Sequence, residues 1–445
     1  MKPFVIQSTA NEDILLFEGD MTFYTGFSLI PEFKCTGKAI FEWLPYPRVS
    51  YYFQKHGVTG LVSSNEYKIF HEGLAEATII YTIHETDRHF VKAFIETYNT
   101  GDKSLSFDYI QYQIPNLFGF GFSSGKDLNN RFTPAEPFIT FTADDFEITI
   151  EHFLPIINVE SIIRGGYMLT GAAEIRKSGS KVTLKEADKI METFVKFLGF
   201  FNCHKVTPVI VTGVIDDKIS FQSYRSAPDA ESFIPTITWT PRKADKEIMN
   251  HTWKTFYEFS KNENEIDCLE LAVHWYLTSL YKKSGVEASL VLIQNALELL
   301  CFWILVEREF ILDKNDKEIS ASSKINVLLT WAGVTNKVSP ILSNLDAFSK
   351  ANSLPSGPET ITHIRNKIVH PDLKNRKRYK EFTLPIKHEA LQLAIYYCEL
   401  VLLRLLQYNG RFRDRVHRTR IDDRIGVDNS VPWSNEVNLS NNEKE

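Results

Sequence analysis

The sequence predicts an α+β protein in which an antiparallel β-rich N-terminal domain, residues 1–240, precedes an all-α helical domain, residues 241–424. Short aromatic and β-branched runs dominate up to about residue 180, and apolar residues recur at helical spacing from about residue 245. A chain of 445 residues is also long for one hydrophobic core, which favours two or three domains. The polar residues 425–445 are predicted to be a disordered tail.

The N-terminal strands are predicted from runs such as "ATIIYTIHE", "HFVKAFIETY" and "FEITIEHF". In the last run apolar and polar residues alternate from Phe146 to Glu151, which predicts one buried face, one wet face and antiparallel pairing. A helix interrupts this pattern, because Thr183 and Glu186 have the spacing of a capping box. We expect that helix to end before Gly199.

The second half is predicted to be a helical bundle that follows a proline-containing linker at 226–243. Its last long helix should end at "QYNG", where Asn409 and Gly410 would provide a left-handed cap. The predicted helices lie near 245–260, 265–283, 286–308, 321–333, 357–370 and 386–408.

Composition indicates a soluble, cytoplasmic protein with no metal centre and no cofactor. The chain is 43% hydrophobic and 24% charged, and its net charge of −6 does not mark it as a general nucleic-acid binder. Its 5 cysteines are far apart and odd in number, which argues against a disulfide framework and a clustered zinc site. Gln294, Asn295 and Glu298 interrupt the most apolar run, so no membrane span is expected.

Positive charge is concentrated in the last quarter of the chain. Residues 361–424 contain fifteen lysines and arginines against seven aspartates and glutamates. Such a segment could attract a polyanion, or it could be an ordinary solvated surface. Within it, "KNRKRYK" has the composition to steer RNA, with Tyr379 available for stacking. The candidate RNA-binding residues are Lys374, Arg376, Lys377, Arg378 and Lys380.

The segment "RNKIVHP" offers a candidate catalytic pair. On the helix predicted to end before Pro371, Arg365 falls within the apolar stripe, where an unpaired charge is costly. Glu298 is the one acid in the apolar run "SLVLIQNALELLCFWILV", so an Arg365–Glu298 contact would solve the same problem for both side chains. A purely structural ion pair would have the same pattern, and both interpretations remain open.

The chemistry of this pair suits cleavage of a phosphodiester without a metal. His370 can exchange a proton near neutrality, and Arg365 can hold the phosphate. Other motifs are weaker. "GFGFSSGKD" departs from the phosphate-loop spacing and has Asp127 where a hydroxyl residue is needed, and Cys203-His204 has no companion ligands.

The segment Arg365-Asn366-Lys367-Ile368-Val369-His370 resembles the R-x-x-x-x-H motif of HEPN domains, in which asparagine can follow the arginine. The phrases "SLVLIQNALELL" and "VLLRLLQYNGRFRDR" resemble the Apea-like HEPN subfamily over roughly residues 265–415. This resemblance implies an endoribonuclease that acts on RNA such as tRNA in anti-phage abortive infection.

By the same resemblance, the protein would be a homodimer or a higher even oligomer, and its N-terminal domain would sense a trigger, which could be phage-derived. Arg365 would bind phosphate, Asn366 would orient the site, His370 would transfer protons and Glu298 would position Arg365. The alternative is a non-catalytic HEPN scaffold that binds a nucleotide or a partner protein.

Overall fold

The structure of this chain is a computed structural model with two compact units. Unit 1 comprises Met1–Phe118, Phe132–Val195 and Lys205–Pro235, and unit 2 comprises Gly119–Arg131, Lys196–His204 and Thr236–Glu445. The structure describes residues 9–25, 31–54, 67–74, 78–80, 82–85, 90–117, 125–126, 132–133, 138–153, 162, 165–234, 239–241, 244–281, 284–315, 318–370, 382–416 and 427–434.

Unit 1 is built on two seven-stranded antiparallel sheets. The strands of the first sheet are β1 (Ile14–Thr25), β2 (Pro31–Glu42), β3 (Arg48–Gln54), β4 (Tyr67–Phe70), β5 (Thr78–Ile80), β6 (Thr82–Glu85) and β7 (Phe90–Ile95). The strands of the second are β8 (Thr97–Gly101), β10 (Tyr109–Pro115), β13 (Phe138–Ala143), β14 (Phe146–His152), β15 (Leu169–Lys177), β17 (Ile210–Ile215) and β18 (Lys218–Arg225). The short strands are β9 (Ser106–Phe107), β11 (Gly125–Lys126), β12 (Phe132–Thr133) and β16 (Val182–Thr183). The strand orders of the two sheets are β5-β4-β1-β2-β3-β7-β6 and β13-β14-β15-β10-β17-β18-β8.

The predicted alternation in β14 is confirmed. Ile148 and Ile150 are buried, Glu147 is exposed, and β14 pairs antiparallel with β13 and β15. One apolar cluster contains residues of both sheets, since Phe41 and Phe53 of the first and Ile210 and Tyr224 of the second belong to it. The sequence pattern therefore identifies the inward face of the strand before any tertiary contact is known.

Helix α1 (Leu184–Asn202) begins as predicted but extends past its predicted end. The Glu186 carboxylate accepts the Thr183 backbone N–H at 2.9 Å, and the Thr183 hydroxyl accepts the Glu186 N–H at 3.3 Å, which is the reciprocal capping box. The end before Gly199 is wrong. A Cβ on this glycine would lie 3.4 Å from Leu277, so Gly199 allows close packing within unit 2 instead of ending the helix.

Unit 2 is a helical bundle, as predicted. The helices are α2 (Lys246–Phe259), α3 (Glu263–Leu280), α4 (Val286–Leu300), α5 (Ala321–Trp331), α6 (Ser343–Ala351), α7 (Gly357–Val369) and α8 (Leu384–Leu405). The central helix α8 is buried along most of its length and packs against α4, α5, α6 and α7. Helix α6 was not predicted. Its nine residues start without a side-chain cap and bury few side chains, so the helix is too short for its apolar periodicity to be recognised.

Helix α4 continues directly into a π-helix, Cys301–Arg308, which helical periodicity did not reveal. Together, Val286–Arg308 is the one helix among the described residues that is long and apolar enough to cross a membrane by length and composition. About 61% of its apolar window is buried inside the protein, which is the pattern of a core helix and is consistent with a soluble protein.

Two predictions about the C-terminal end are wrong. The left-handed residue after α8 is Gln407, at φ 55°, and not Asn409 or Gly410. Residues 427–434 are not disordered: β20 (Val427–Ser430) pairs with β19 (Arg411–Asp414), and Trp433 is buried and donates its indole N–H to the Tyr408 carbonyl at 2.8 Å. The tail is polar on average, but its single tryptophan packs into the protein and fixes this segment in place.

A buried ion pair joins this C-terminal segment to the bundle. The Arg415 guanidinium donates from Nε to the Glu399 carboxylate at 2.9 Å and makes a second, shorter contact through Nη2. Tyr276 donates its hydroxyl to the same carboxylate at 2.7 Å, and the Cys203 thiol lies 3.1 Å from that hydroxyl. Burial raises the pKa of Glu399, and the guanidinium and the hydroxyl oppose that shift.

We expect Glu399→Leu to lower the free energy of unfolding by about 3–5 kcal/mol, because it leaves Arg415 buried without its counter-charge. The double variant Glu399→Leu/Arg415→Met should recover most of that loss, and Tyr276→Phe should cost only about 1 kcal/mol. Urea unfolding followed by circular dichroism measures all three. A single variant as stable as the parent would contradict the role of the pair.

Candidate functional site

The candidate site lies at the C-terminal end of α7. Ser356 caps the start of this helix by accepting the Glu359 N–H at 3.3 Å, and Ile361 and Ile364 bury its inner face. His370 leaves helical geometry with φ −103° and ψ 87° while its N–H still bonds the Asn366 carbonyl at 3.0 Å. The predicted end of the helix at His370, directly before Pro371, is therefore confirmed, and the residue is exposed.

Arg365 is half-buried and is held by two amides. Its Nη1 donates to the Asn366 side-chain oxygen at 3.3 Å, and its Nη2 donates to the Asn295 side-chain oxygen on α4 at 3.5 Å. Its Nε is buried and has no hydrogen-bond partner among the described residues. Both contacts are long for N–H···O bonds, so the amides orient the guanidinium more than they stabilise its charge.

The predicted Arg365–Glu298 contact is wrong. No ion pair or hydrogen bond joins the two side chains, both of which lie in the described part of the chain. The Glu298 carboxylate instead accepts from Gln294 on the preceding turn of α4, at 2.7 Å. Helical side chains lean toward the helix N-terminus, which favours this partner four residues earlier.

The guanidinium of Arg365 therefore has no carboxylate partner in the part of the chain that the structure describes. A half-buried charge balanced only by neutral dipoles is less stable than a paired one. Its planar fork matches the oxygens of a phosphate or carboxylate. An external anion would supply the missing negative charge.

Asn366 connects the two candidate catalytic residues. Its side chain accepts from Arg365, and its backbone carbonyl accepts from His370 one turn later, which places Asn366 and His370 on the same side of α7. His363, considered as an assisting residue, packs against the rings of Phe348 and Phe382 at 6.1 and 6.3 Å. Its aromatic surroundings indicate a packing role.

Some sequence-based candidates lie outside the described residues. These are Lys374, Arg376, Lys377, Arg378 and Lys380 and most of the Gly119–Asp127 loop. Cys203 is buried, and burial raises the pKa of its thiol to about 12, which suits a structural cysteine. No group of three metal-ligating side chains occurs among the residues that the structure describes.

The sequence does not identify Asn295 as a site residue. Asn295 is a polar interruption of the apolar run in α4, and nothing in its spacing marks it as a partner of Arg365. The two residues are 70 positions apart, and packing of α7 on α4 alone brings them together. The one signal in the sequence is the presence of an asparagine within an otherwise apolar run.

Comparisons with known proteins match both halves of the chain. The family model for the YopA central domain matches residues 102–233, and the model for the YopA C-terminal domain matches residues 262–425. A curated relative, the SPbeta prophage-derived uncharacterized protein YopA of Bacillus subtilis (strain 168), is 25% identical over 278 residues. That match covers 62% of this chain and 60% of the relative. No solved structure matches.

The resemblance to the Apea-like HEPN family is wrong. The segment 265–415, on which it rested, falls within the match to the YopA C-terminal domain, and the comparisons indicate no HEPN family. A motif that is defined only by the spacing between one arginine and one histidine recurs by chance in unrelated sequences. The helices that accompany it are common to many bundles.

Because Arg365 lacks a counter-ion among the described side chains, we expect Arg365→Met to leave the free energy of unfolding unchanged or to raise it by about 1 kcal/mol. Methionine retains the packed stem and removes the charge. Lys387→Met is the matched control, since the Lys387 ammonium lies 2.5 Å from the Glu287 carboxylate, and should cost about 1 kcal/mol. Urea unfolding is the measurement. A loss of about 3 kcal/mol for Arg365→Met would reveal a structural ion pair.

Proposed function

We propose that the C-terminal end of α7 binds the phosphate of an RNA linkage and cleaves it without a metal. The carrying observation is the half-buried Arg365 guanidinium, which two neutral amides orient and no described carboxylate neutralises. Such a group is suited to an incoming phosphate. Asn366, bonded to Arg365, orients the phosphate-binding group, and His370 exchanges protons at the solvent-exposed helix end.

The reaction would be an internal transfer. The imidazole of His370 takes the proton of the ribose 2′-hydroxyl, whose oxygen attacks the adjacent phosphorus as the bond to the 5′-oxygen breaks. The leaving oxygen takes up a proton, and the products are a 2′,3′-cyclic phosphate and a 5′-hydroxyl. Arg365 stabilises the negative charge that gathers on the phosphoryl oxygens. Neither step requires a metal or a cofactor.

Two proton transfers call for two proton-transfer groups. The described end of α7 has one exposed imidazole, that of His370, whereas His363 is packed against aromatic rings. We therefore extend the proposal to a homodimer or higher even oligomer, in which a second copy supplies the second imidazole. Sedimentation of the purified protein tests this part separately.

The wider role is also a proposal. We place the protein in the cytoplasm, where RNA such as tRNA is available, with unit 1 as the regulatory unit. The relative is described as prophage-derived, which favours a role in conflict between phage and host over general RNA turnover. The same description supports a role in abortive infection and a phage-derived trigger, both of which are proposed without a HEPN resemblance.

A second candidate function is RNA binding without cleavage. It is favoured by the absence of a hydrogen bond between Arg365 and His370, both described residues, because an arginine that acts alone can bind phosphate without any chemistry. The two functions differ in the products that they predict and not in the ligand.

We expect the parent protein to cut total cellular RNA in the presence of EDTA and to leave cyclic-phosphate ends. His370→Ala and Arg365→Lys should each lower the rate at least about 100-fold, because they remove the proton carrier and the planar fork respectively. Sequencing of the new RNA ends provides the readout.

Matched controls are available on the same unit. His388 is an exposed histidine of α8, and Arg411 is an exposed arginine of β19, so His388→Ala and Arg411→Lys should cut at the parent rate. Full cleavage by His370→Ala would refute the catalytic assignment. RNA binding by the parent without any cleavage would favour the second candidate.

The basic segment should contribute affinity without chemistry. Replacing Lys374, Arg376, Lys377, Arg378 and Lys380 by glutamine should weaken RNA binding at low salt. It should also reduce the slope of log affinity against log salt concentration by about 0.7 for each phosphate that the segment no longer neutralises. Fluorescence anisotropy with a labelled single-stranded RNA measures both quantities. An unchanged slope would show that RNA does not bind this segment.

A further inference from the structure

An open groove of about 1500 Å³ runs along unit 2, between the start of α3 and the π-helix with the loop that follows it. We call it the α3–π groove and define it by three apolar residues, Phe302, Phe310 and Ile311, and three acidic ones, Asp267, Glu307 and Asp313. It does not include Arg365, Asn366 or His370.

The apolar side chains of this groove are exposed. Phe302 is 41% exposed, Ile311 is 47% exposed and Phe310 is 80% exposed, although Trp303, on the same π-helix, is buried. Neighbouring exposed apolar side chains in a soluble protein indicate a binding surface more often than isolated ones do. The π-helix contributes, because its wider turn changes which side chains of this apolar run face inward.

Phe310 has an unfavourable backbone as well as an exposed ring. Its φ of 52° lies in the left-handed region, which a bulky residue adopts only at a cost in free energy. Glycine would relieve that cost and would also remove the exposed ring. Both the exposed ring and the left-handed backbone of Phe310 are explained if a partner buries this ring.

Negative charge surrounds the apolar centre. Arg308 is largely neutralised within the groove, since it pairs with Glu265 at 3.0 Å and with Glu309 at 3.5 Å. Asp267 and Glu307 have no ion-pair partner among the described residues. After burial, Glu307, Asp267 and Glu265 are the causes that raise the pKa of the Cys268 thiol. Four acids line the groove, Glu265, Asp267, Glu307 and Asp313, against two cations, Arg308 and Lys314, so the apolar centre has a rim of net negative charge.

We propose that the α3–π groove binds a basic amphipathic peptide segment of a partner protein, whose apolar side chains pack on Phe302, Phe310 and Ile311 while its lysines or arginines meet Asp267 and Glu307. Charge complementarity identifies this occupant. An acidic rim repels anionic lipid headgroups and RNA, which argues against a membrane surface or a nucleic acid. An apolar face with i, i+3, i+4 spacing fits a groove beside a helix.

The probe is a fluorescein-labelled amphipathic peptide of leucine and lysine, about 14 residues or roughly four helical turns long. A peptide with glutamate in place of lysine has the same apolar pattern and is the matched control. We expect the full-length protein to bind the lysine peptide by fluorescence anisotropy and to bind the glutamate peptide at least about tenfold more weakly. Equal binding of the two peptides would overturn the proposal, as would no binding of either.

Phe310→Gly separates binding from folding. This variant should raise the melting temperature, because glycine adopts the left-handed conformation without the cost that phenylalanine has. It should lower the affinity for the lysine peptide at least about tenfold, because it removes an aromatic anchor. Leu384→Ser, at an exposed leucine of α8, should leave peptide affinity unchanged. A Phe310→Gly protein with parental peptide affinity would overturn the proposal.

The acidic rim has its own variants. The double variant Asp267→Asn/Glu307→Gln should lower the affinity for the lysine peptide about fivefold at low salt. It should also remove much of the dependence of that affinity on salt concentration. Glu258→Gln with Asp217→Asn changes two exposed acids outside the groove and should have little effect. Equal losses in both double variants would show only a general attraction to an acidic protein and would overturn the proposal.

Two other occupants are excluded by the same variants. If the parent is a dimer in sedimentation and Phe310→Gly is a monomer, the groove is an interface between copies, and the proposal fails. If the parent binds anionic lipid vesicles and Phe310→Gly does not, the groove contacts lipid, and the proposal fails equally. Parental behaviour of Phe310→Gly in both assays supports a peptide partner.

Discussion

The buried pair of Glu399 and Arg415 is the constraint on which the helical unit depends. It links the central helix α8 to the chain that follows β19, and through Tyr276 and Cys203 it reaches α3 and the end of α1. Removing either charge would leave the other without compensation in a site that excludes water. The network therefore holds four separate segments in one arrangement, and α7, which packs on α8, is positioned by it.

The same bundle treats a second arginine differently. Arg415 has a carboxylate with two contacts, whereas Arg365 has two side-chain amides at 3.3 and 3.5 Å and an Nε that no described group satisfies. Arg415 is buried with a paired carboxylate, whereas Arg365 has no described counter-charge. This difference indicates that the two arginines have different roles. The proposed phosphate site rests on this contrast and not on family membership.

Irregular backbone marks the other candidate surface. The π-helix Cys301–Arg308 and the left-handed Phe310 are local departures from regular structure, and both carry aromatic side chains that remain in solvent. Such departures cost free energy and persist where they serve an interaction. The proposed phosphate site and the proposed peptide groove call for ligands of opposite charge, and they use different residues of unit 2.

The sequence by itself determined the change from strands to helices, the antiparallel pairing of β14, the Thr183 cap of α1 and the end of α7 at His370. These depend on short-range rules of periodicity and capping, which a single chain displays directly. It did not determine the partner of Arg365, the π-helical geometry of Cys301–Arg308 or the strand at Val427–Ser430. Only the tertiary structure decided these, because each depends on which distant residue lies opposite, and Asn295, rather than Glu298, is the one that α4 presents to α7.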